Sequence, residues 1–367
     1  MFMRINWLML CVLSFALVAC GEEQLGSSAG TSIRANETGS VARSELQSQM
    51  FSAQSVANAQ SNAGVSGSVV TGVLATSEYV INGQAITESS GLARSNLNPD
   101  LLWTHNDSGS GTVIHALTTE GSHIATASLN GAAVINLDWE DMTGFVFQDK
   151  SYLLVADVGD NSAVRPVTTL YLIEEPTVDM RAPGVQNLSA KVLGIYVVAF
   201  PDLTPRDVEA VAVHASTQTA YLITKRESKP TLYSFSLGSL VTSVVSSAPG
   251  DALPLKVPVT LKNEGPINIP RASGSDLKNP EAFNWVTSMD IDENGFRALV
   301  TTLTHGYIYQ RNSQQTWTQA FQQKPYQFPL PKYSQIEAGA WMKGGDSLMI
   351  TSENVPARMA RFDLSVR

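Results

Sequence analysis

A short strand-like element recurs along this chain, and it constrains the fold more than any other feature of the sequence. Each copy combines a polar residue with small and apolar residues, and it is followed by a turn and then by an apolar strand that ends in polar residues. Self-similarity of this kind indicates a repeat architecture, in which each copy belongs to one structural unit. The five copies are Ser90-Gly91-Leu92-Ala93, Glu140-Asp141-Met142-Thr143, Glu209-Ala210-Val211-Ala212, Thr287-Ser288-Met289-Asp290 and Glu337-Ala338-Gly339-Ala340.

The residues between the copies favour β-strands over helices. Segments such as Tyr152–Val155, Tyr221–Thr224 and Leu348–Thr351 are short and apolar, and Gly, Asn, Asp or Pro residues separate them. No stretch of about ten or more residues after residue 76 has a convincing helical period. Because tandem four-stranded units are the blades of propellers, the sequence predicts an all-β fold of the β-propeller type.

Five blades can be counted, and the interval 240–285 leaves room for a sixth. The last copy runs out of chain after about three strands, so a strand around Glu78–Ile81 is expected to supply the missing outer strand and close the ring. Closure of this kind removes exposed strand edges between blades. A pair of β-sandwiches is the competing architecture.

The N-terminus has the layout of an export signal. Arg4 is the only charged side chain before an apolar run from Ile5 to Ala19, which only Asn6 and Ser14 interrupt. The run is shorter than the ~20 residues that a membrane-spanning helix needs. It ends in Leu17-Val18-Ala19-Cys20-Gly21, which resembles the lipobox of bacterial lipoproteins.

The lipobox resemblance implies that residues 1–19 are a signal peptide and that Cys20 carries the lipid. Several acyl chains, such as palmitate, on one cysteine give durable membrane anchoring, whereas one chain alone is marginal. Gly21, where an Asp would imply retention at the inner membrane, implies the outer membrane of a Gram-negative cell envelope. An ordinary signal peptide that contains Cys20 and a buried core helix are the alternatives.

Residues 20–75 are predicted to be the lipidated cysteine and a flexible linker, and residues 76–367 the propeller domain. The linker is rich in Ser, Ala, Gly, Asn and Gln, and it has too few large apolar residues to offset the entropy of ordering it. Cys11 leaves with the signal peptide, so the mature chain is expected to have no disulfide. The formal net charge of -9 argues against nucleic acid as a partner.

Several polar motifs occur in a fixed order along the predicted domain and resemble a family of exported bacterial β-propeller proteins of unknown function. That family is grouped with six-bladed, TolB-like propellers, so the resemblance implies six blades, where five are counted. It implies no particular activity. The motifs are Glu88-Ser89-Ser90-Gly91-Leu92-Ala93, Thr104-His105-Asn106-Asp107-Ser108-Gly109, Asp138-Trp139-Glu140-Asp141, Asp157-Val158-Gly159-Asp160-Asn161, Val208-Glu209-Ala210-Val211-Ala212 and Ile336-Glu337-Ala338-Gly339-Ala340.

The first strand of a propeller blade lines the central channel, so equivalent positions of the copies are expected to form a ring. Carboxylates that face one another raise each other's pKa or require a cation, and oxygen ligands suit Ca²⁺ or Mg²⁺. The aligned ring consists of Ser90, Glu140, Glu209, Thr287 and Glu337. A second tier at the strand ends adds Asn106, Asp107, Asp157, Asp160 and Asn161.

These residues also have structural interpretations, which the sequence leaves open. Asx side chains in turns bond to nearby backbone N–H groups. Asp138 and Asp141 can brace the loop around Trp139, and the repeated glutamates can bond to the backbone of a neighbouring blade. Lys225 and Arg226 can neutralise the channel carboxylates and so remove the need for a metal.

Enzyme motifs are absent from the sequence: there is no Gly-x-Ser-x-Gly, no His-Glu-x-x-His and no phosphate loop. Gly109 and Gly111 are spaced like the start of a dinucleotide fingerprint, but a plain turn explains them better, so no nucleotide cofactor is expected. His105 and His305 lie near predicted strand ends, where pairing with a carboxylate would give acid/base chemistry.

The expected function is therefore a lipid-anchored envelope protein whose propeller binds a small-molecule ligand or a protein partner, without catalysis. The alternative is a divalent-cation-dependent hydrolase acting on lactones, esters or phosphate esters. In that hypothesis Glu140, Glu209 and Glu337 hold the metal, with Asn106 and Asp157 nearby. Its support is an analogy of fold to calcium-dependent propeller lactonases. A purely structural envelope protein is the third hypothesis.

Overall fold

The computed structural model describes residues 69–131, 133–238, 255–270 and 285–367. The predicted signal peptide, Cys20 and the linker up to residue 68 lie outside the described residues. The strands are, in chain order, β1 (Val70–Val80), β2 (Ser89–Arg94), β3 (Leu101–Asn106), β4 (Val113–Thr118), β5 (His123–Asn130), β6 (Trp139–Phe147), β7 (Lys150–Asp157), β8 (Thr168–Glu174), β9 (Gln186–Ala199), β10 (Val208–His214), β11 (Thr219–Thr224), β12 (Thr231–Ser236), β13 (Leu255–Thr260), β14 (Lys262–Pro266), β15 (Val286–Ile291), β16 (Arg297–Thr302), β17 (His305–Gln310), β18 (Tyr326–Pro329), β19 (Ile336–Trp341), β20 (Ser347–Ser352) and β21 (Arg358–Val366).

These strands form five four-stranded blades, which confirms the predicted all-β propeller. From the inside outwards the blades are β2-β3-β4-β5, β6-β7-β8-β9, β10-β11-β12-β14, β15-β16-β17-β18 and β19-β20-β21-β1. The innermost strand of each blade packs against the innermost strand of the next, and β19 packs against β2. The ring of inner strands therefore closes with five blades, and the two-sandwich alternative is wrong.

The fifth blade joins the two ends of the described chain, as the sequence predicted. Its outer strand β1 pairs antiparallel with the C-terminal strand β21, from Val70 opposite Val366 to Val80 opposite Arg358. The closing strand is longer than predicted, because it begins at Val70 and not at Glu78. Pairing of the first described strand with the last one leaves the fifth blade with four strands like the others.

The described part of the interval 240–285, where a sixth blade had room, contributes only outer strands. β14 is the outer strand of the third blade, and β13 lies parallel to the second half of β9. β9 is long enough to hold two partners, because β5 of the first blade pairs in parallel with its first half. These parallel pairs link neighbouring blades at the periphery of the propeller.

Apolar side chains fill the space between each pair of neighbouring blades, which gives five separate cores. Side chains alternate between the two faces of a strand, and both faces of every blade are covered. The inner strands are therefore buried along their whole length, which is why the sequence shows continuous apolar runs and little alternation. Trp139, between the first and second blades, and Trp341, between the fourth and fifth, are among the fully buried side chains.

Two buried aspartates tie all five blades together near the axis. Asp141 of the second blade accepts hydrogen bonds from the backbone N–H of Val211 in the third blade (2.8 Å) and of Met289 in the fourth (3.1 Å). Asp290 of the fourth blade binds Trp341 N in the fifth (2.9 Å), Arg94 in the first (3.0 Å) and Thr143 in the second (3.3 Å). Asp141 thus does more than brace the loop around Trp139.

Helical structure is minor in the described residues. A 3₁₀ turn spans Ala215–Thr217, and a short helix, α1, spans Trp317–Phe321. A capping box starts α1: Gln319 N donates to the Thr316 side chain, and the Thr316 N–H donates to the Gln319 side chain (2.9 Å). Among the described residues, no helix has both the length and the apolar character needed to cross a membrane.

Candidate cation-binding site at the channel mouth

A β-bulge at the same place in each inner strand positions the predicted ring. The register of each inner strand with its neighbour shifts once, and in four blades the unpaired residue is the ring residue: Glu140, Glu209, Thr287 or Glu337. In the first blade the shift falls between Ser89 and Leu92, so it includes Ser90. A bulged residue is left out of the hydrogen-bonded pairing between two strands, and its side chain is redirected. The bulges therefore direct the ring glutamates away from the paired strands.

The three ring glutamates converge around one lysine. Lys225, which directly follows β11, is hydrogen-bonded through Nζ to Glu209, and its Nζ lies 4.0 Å from Glu337 Oε2. Carboxylate oxygens of Glu140, Asp207 and Glu209 lie within 4.8 Å of one another. This part of the ring therefore holds both the carboxylates and a cation that partly neutralises them.

Ser90 and Thr287, the two hydroxyl members of the predicted ring, are engaged elsewhere. Ser90 Oγ donates to the backbone oxygen of Glu140 at 2.8 Å, which connects the first and second blades. Thr287 Oγ1 and Thr301 Oγ1 are hydrogen-bonded within the fourth blade at 3.0 Å. The carboxylates consequently lie on the second, third and fifth blades.

A second carboxylate group shares Glu140 but contains no cation. Oxygens of Asp107, Asp138 and Glu140 lie within 4.8 Å of one another. Glu140 is only 6% exposed, whereas Asp107 and Asp138 are partly exposed. Gly159 permits this approach, because a Cβ at that position would overlap the carboxylates of both Glu140 and Asp138. We call Asp107, Asp138 and Glu140 the acidic triad.

Only one carboxylate of the acidic triad accepts a hydrogen bond among the described residues: Asp107 Oδ1 accepts from the backbone N–H of Ser108. Within the described residues, no donor hydrogen-bonds to the carboxylate of Asp138 or Glu140. Burial raises the pKa of Glu140 well above its ordinary range, and Glu209 and Asp107 raise it further. Burial, followed by the charges of Asp107 and Asp207, raises the pKa of Asp138 to about 6. Burial also raises the pKa of Asp107.

Lys225 remains charged in this environment. Burial alone would lower its pKa, but Glu209, Glu337 and Glu140 outweigh that effect, and the pKa lies above its ordinary value. Arg226, the next residue, pairs with Asp207 at 2.5 Å and lies 4.6 Å from the ring centroid of Trp285. Lys225 and Arg226 thus form hydrogen-bonded ion pairs with Glu209 and Asp207, respectively, and neither cation hydrogen-bonds to the acidic triad.

Three of the predicted strand-end residues are occupied by backbone contacts. Asn106 accepts from the backbone N–H of Thr87 and Glu88. The predicted ligands Asp157 and Asp160 behave in the same way. Asp157 accepts from the N–H of Leu137 and Asp138 and pairs with Arg165 at 2.7 Å; Asp160 accepts from the N–H of Val164 and Arg165.

Asn161 completes the predicted second tier, and its Oδ1 accepts from Arg226. Of that tier, only Asp107 joins the carboxylates at the mouth. The others stabilise the loops on which those carboxylates lie, which is the turn-forming role that Asx residues often have.

Sequence reasoning missed a ring of residues two positions before the glutamate ring. Residues two apart on a strand point to the same side, so a second polar layer is expected there. Asp138 and Asp207 belong to this layer and form the D-x-E spacing of Asp138-Trp139-Glu140 and Asp207-Val208-Glu209. Four of the five positions of this layer are polar; the positions are Glu88, Asp138, Asp207, Trp285 and Gln335.

Glu353 is a further carboxylate of the mouth that sequence reasoning missed. It follows β20, forms a bridge with Glu88 and accepts from Gln335 Nε2 at 2.7 Å. Burial, together with the charges of Glu337 and Asp107, raises its pKa to about 8. The only sequence signal was its place in the Ser352-Glu353-Asn354 strand end.

The two predicted acid/base histidines do not pair with a carboxylate. His105 is fully buried edge-on against Trp139, its Nδ1 contacts the backbone oxygen of Asn106, and burial lowers its pKa to about 4. His305 Nδ1 contacts Thr304 Oγ1 at 2.9 Å. Gly109 lies in an exposed loop with a positive φ of 75°, as the plain turn interpretation expects.

Comparison with known proteins assigns neither a family nor an activity to this chain. No protein-family model matches the sequence, and no curated protein matches it. Among solved structures, the crystal structure of the major Malassezia sympodialis allergen Mala s 1 is similar with a TM-score of 0.46 and 9% sequence identity, covering 80% of this chain and 97% of that chain. A similarity at this level supports no conclusion about activity.

Proposed function

We propose that this protein is an exported, lipid-anchored envelope protein whose propeller binds a ligand or protein partner through a divalent cation at the channel mouth. The observation that carries the proposal is the acidic triad, in which three carboxylates converge and none forms an ion pair with a cation of the described residues. Like charges at this range require a cation or a proton. Oxygen donors alone favour Ca²⁺ or Mg²⁺ over zinc.

The exposure of the triad supports binding of a ligand in addition to the cation. Glu140 is buried at the base, and Asp107 and Asp138 are partly exposed above it. Three carboxylates do not fill the six to eight positions of a typical Ca²⁺ shell. Open positions on the solvent side are where water or an acceptor group of a ligand would bind.

Calcium titration of the purified protein tests the proposal. At a Ca²⁺ concentration of about 100 times Kd, binding should stabilise the fold by about 2.7 kcal/mol and raise Tm by about 5 °C or more. Glu140→Gln should abolish the shift, whereas Glu174→Gln, an exposed acid at the end of β8, should retain it. Absence of any Ca²⁺ or Mg²⁺ binding by the unchanged protein would refute the cation site.

The second candidate function is a cation-dependent hydrolase, and one observation favours it. Asp138 is partly exposed and no described donor bonds to its carboxylate, so an oxygen that the cation leaves free can accept a proton from water or a substrate. The test is turnover of lactones, esters or phosphate esters by the purified protein. Turnover that requires Ca²⁺ or Mg²⁺ and is lost in Asp138→Asn would show that the site is catalytic and not only a binding site. Turnover that survives in Asp138→Asn would point to a contaminant.

The lipid anchor belongs to the same proposal and rests on the Leu17–Gly21 motif. Cys20→Ser should move the protein from the membrane fraction to the soluble fraction and abolish metabolic labelling with palmitate. Cys11→Ser should leave the label unchanged, because that residue lies in the predicted signal peptide. Recovery of an unmodified Cys20 by mass spectrometry of the mature protein would rule out the anchor.

A further inference from the structure

Two histidines and a threonine meet on the outer strands of the first blade, far along the sheet from the ring strands. His115 on β4 pairs directly with Thr126 on β5, so their side chains share one face. His123 would normally point to the other face. A register shift between Ala116 and Leu117 places one extra residue in β5, and Leu117 pairs with His123. The bulge thus brings His123 to the face of His115 and Thr126.

The polar atoms of this cluster converge on one point. His115 Nδ1 lies 3.3 Å from His123 Nε2, and each of these nitrogens lies 3.1 Å from Thr126 Oγ1. The backbone oxygen of Ala125 lies 3.0 Å from His123 Nε2. We call these four atoms the histidine cluster.

Hydrogen bonds account for only two of the four contacts in the histidine cluster, for example from His123 Nε2 to Ala125 O and from Thr126 Oγ1 to His115 Nδ1. A ring nitrogen of a neutral imidazole either carries one proton or has one lone pair, so it makes one good hydrogen bond. Two nitrogens can therefore make at most two, yet they take part in four contacts. His115 Nε2 is buried with no partner among the described residues, so the polar contacts of this ring are all made by Nδ1.

The same distances fit a shared metal ion. Two ligands held at about 2.0–2.1 Å from a tetrahedral Zn²⁺ lie about 3.3 Å apart. Imidazole nitrogens select Zn²⁺, Cu²⁺ or Ni²⁺, whereas the oxygen ligands of the acidic triad select Ca²⁺ or Mg²⁺. His115 is 2% exposed, but His123 is only partly buried, so water can reach the cluster from the outer edge of the blade.

We propose that the histidine cluster binds a transition-metal ion of the Zn²⁺ class through His115 Nδ1 and His123 Nε2, with oxygen atoms of Thr126, Ala125 or water in the remaining positions. The ion would clamp β4 to β5 at the bulge. Metal ligation requires neutral imidazoles. Burial, followed by the charge of His123, lowers the pKa of His115 to about 4, and burial lowers that of His123, so both rings are neutral at pH 7.

The test is a Zn²⁺ titration of the full-length protein by calorimetry in excess Ca²⁺, which occupies oxygen sites. We expect one equivalent to bind, with shifts of the imidazole NMR signals of His115 and His123. Co²⁺ in place of Zn²⁺ should give visible absorption bands of nitrogen coordination. Absence of stoichiometric binding, or binding that leaves these two imidazole signals unmoved, would overturn the proposal.

Variants separate this site from adventitious binding. His123→Gln should weaken Zn²⁺ binding at least tenfold, and Thr126→Val should weaken it less, because a hydroxyl is the poorer ligand. His305→Gln is the matched control: among the described residues the ring nitrogens of His305 contact Thr304 alone, so this variant should bind like the unchanged protein. Equal affinity of the His123→Gln and His305→Gln variants would refute the site. The Ca²⁺ response should be the same in all three variants, so this result is independent of the acidic triad.

Discussion

This propeller has buried carboxylates both at its axis and at its mouth, and the two groups differ in how many hydrogen-bond donors surround them. Asp141 is fully buried and accepts three backbone N–H bonds, from Met142, Val211 and Met289. Glu140, its neighbour in sequence, is nearly as buried but accepts none within the described residues. Burial of a carboxylate therefore does not identify its role in this fold; the supply of donors does.

The difference follows from the bulge between the two residues. β6 shifts register between Trp139 and Asp141, so Glu140 leaves the ladder and faces the mouth while Asp141 returns towards the axis. At the axis, the neighbouring inner strands present backbone N–H groups. At the mouth, the neighbours of Glu140 are other acidic side chains, and the described cations that offset this group of carboxylates are Lys225, Arg226 and Arg165. One strand thus supplies both a structural and a candidate binding carboxylate.

The largest expected effect comes from Asp141→Ala. It leaves three buried N–H groups in three different blades without an acceptor, at a cost of about 1–3 kcal/mol each, so we expect the unfolding free energy to fall by at least about 3 kcal/mol. Glu140→Gln should change stability by less than about 1 kcal/mol without Ca²⁺, because no donor loses its acceptor. Urea denaturation of both variants measures the contrast. Equal losses of unfolding free energy in the two variants would mean that Glu140 stabilises the fold as much as Asp141 does.

Lys225→Met is expected to have the next largest effect. Removing one member of a buried ion pair costs about 3–5 kcal/mol, because the remaining charge is uncompensated. Here the remaining charges are the carboxylates of Glu209 and Glu337. Their pKa values should rise further, so the loss should shrink as the pH falls from 8 to 5. Denaturation across that range checks the sign, and a loss that does not depend on pH would indicate a packing defect.

The smallest effect is the pH dependence of Ca²⁺ binding. Ca²⁺ competes with protons for the acidic triad, and the pKa of Asp138 is about 6. Affinity should therefore fall by about fivefold between pH 6 and pH 5 from the protonation of Asp138 alone, and protonation of Glu140 and Asp107, whose pKa values are also raised, should add to the loss. Asp138→Asn should bind more weakly at pH 7 and lose part of that dependence. A flat profile for the unchanged protein would place the ion elsewhere.

Without Ca²⁺, the same groups should make the fold less stable as the pH rises. The folded-state pKa values of Asp138 and Glu353 lie above their ordinary values, at about 6 and about 8. These two groups make the folded state bind more protons than the unfolded state between pH 4 and 8, whereas the lowered pKa values of His105 and His115 act in the opposite direction below about pH 7. Thermal melts in chelator should therefore show Tm decreasing from pH 7 to pH 8, where the histidines are neutral in both states, and a Tm that rises over this interval would contradict the expectation.

The sequence by itself determined the fold class and the composition of the ring. The repeated strands are local features, and the short apolar runs and the turn residues that separate them are readable without knowing any partner. Aligning the five copies was enough to place Glu140, Glu209 and Glu337 at equivalent positions, because copies of a repeat have the same geometry. The closing role of the N-terminal strand followed from counting strands.

Only the tertiary structure decided which of the polar residues are available to a ligand. Asp157, Asp160 and Asp107 all lie at strand ends and look alike in sequence, yet two backbone N–H groups bond to each of the first two, whereas Asp107 accepts one, from Ser108, and lies beside Asp138 and Glu140. The number of blades was likewise decided by the tertiary structure. The ring of inner strands closes with five blades, and residues 255–270 supply outer strands and no inner strand. The physical reason is that hydrogen-bond donors and counter-charges come from distant parts of the chain, and no local pattern states which of them a given carboxylate will meet.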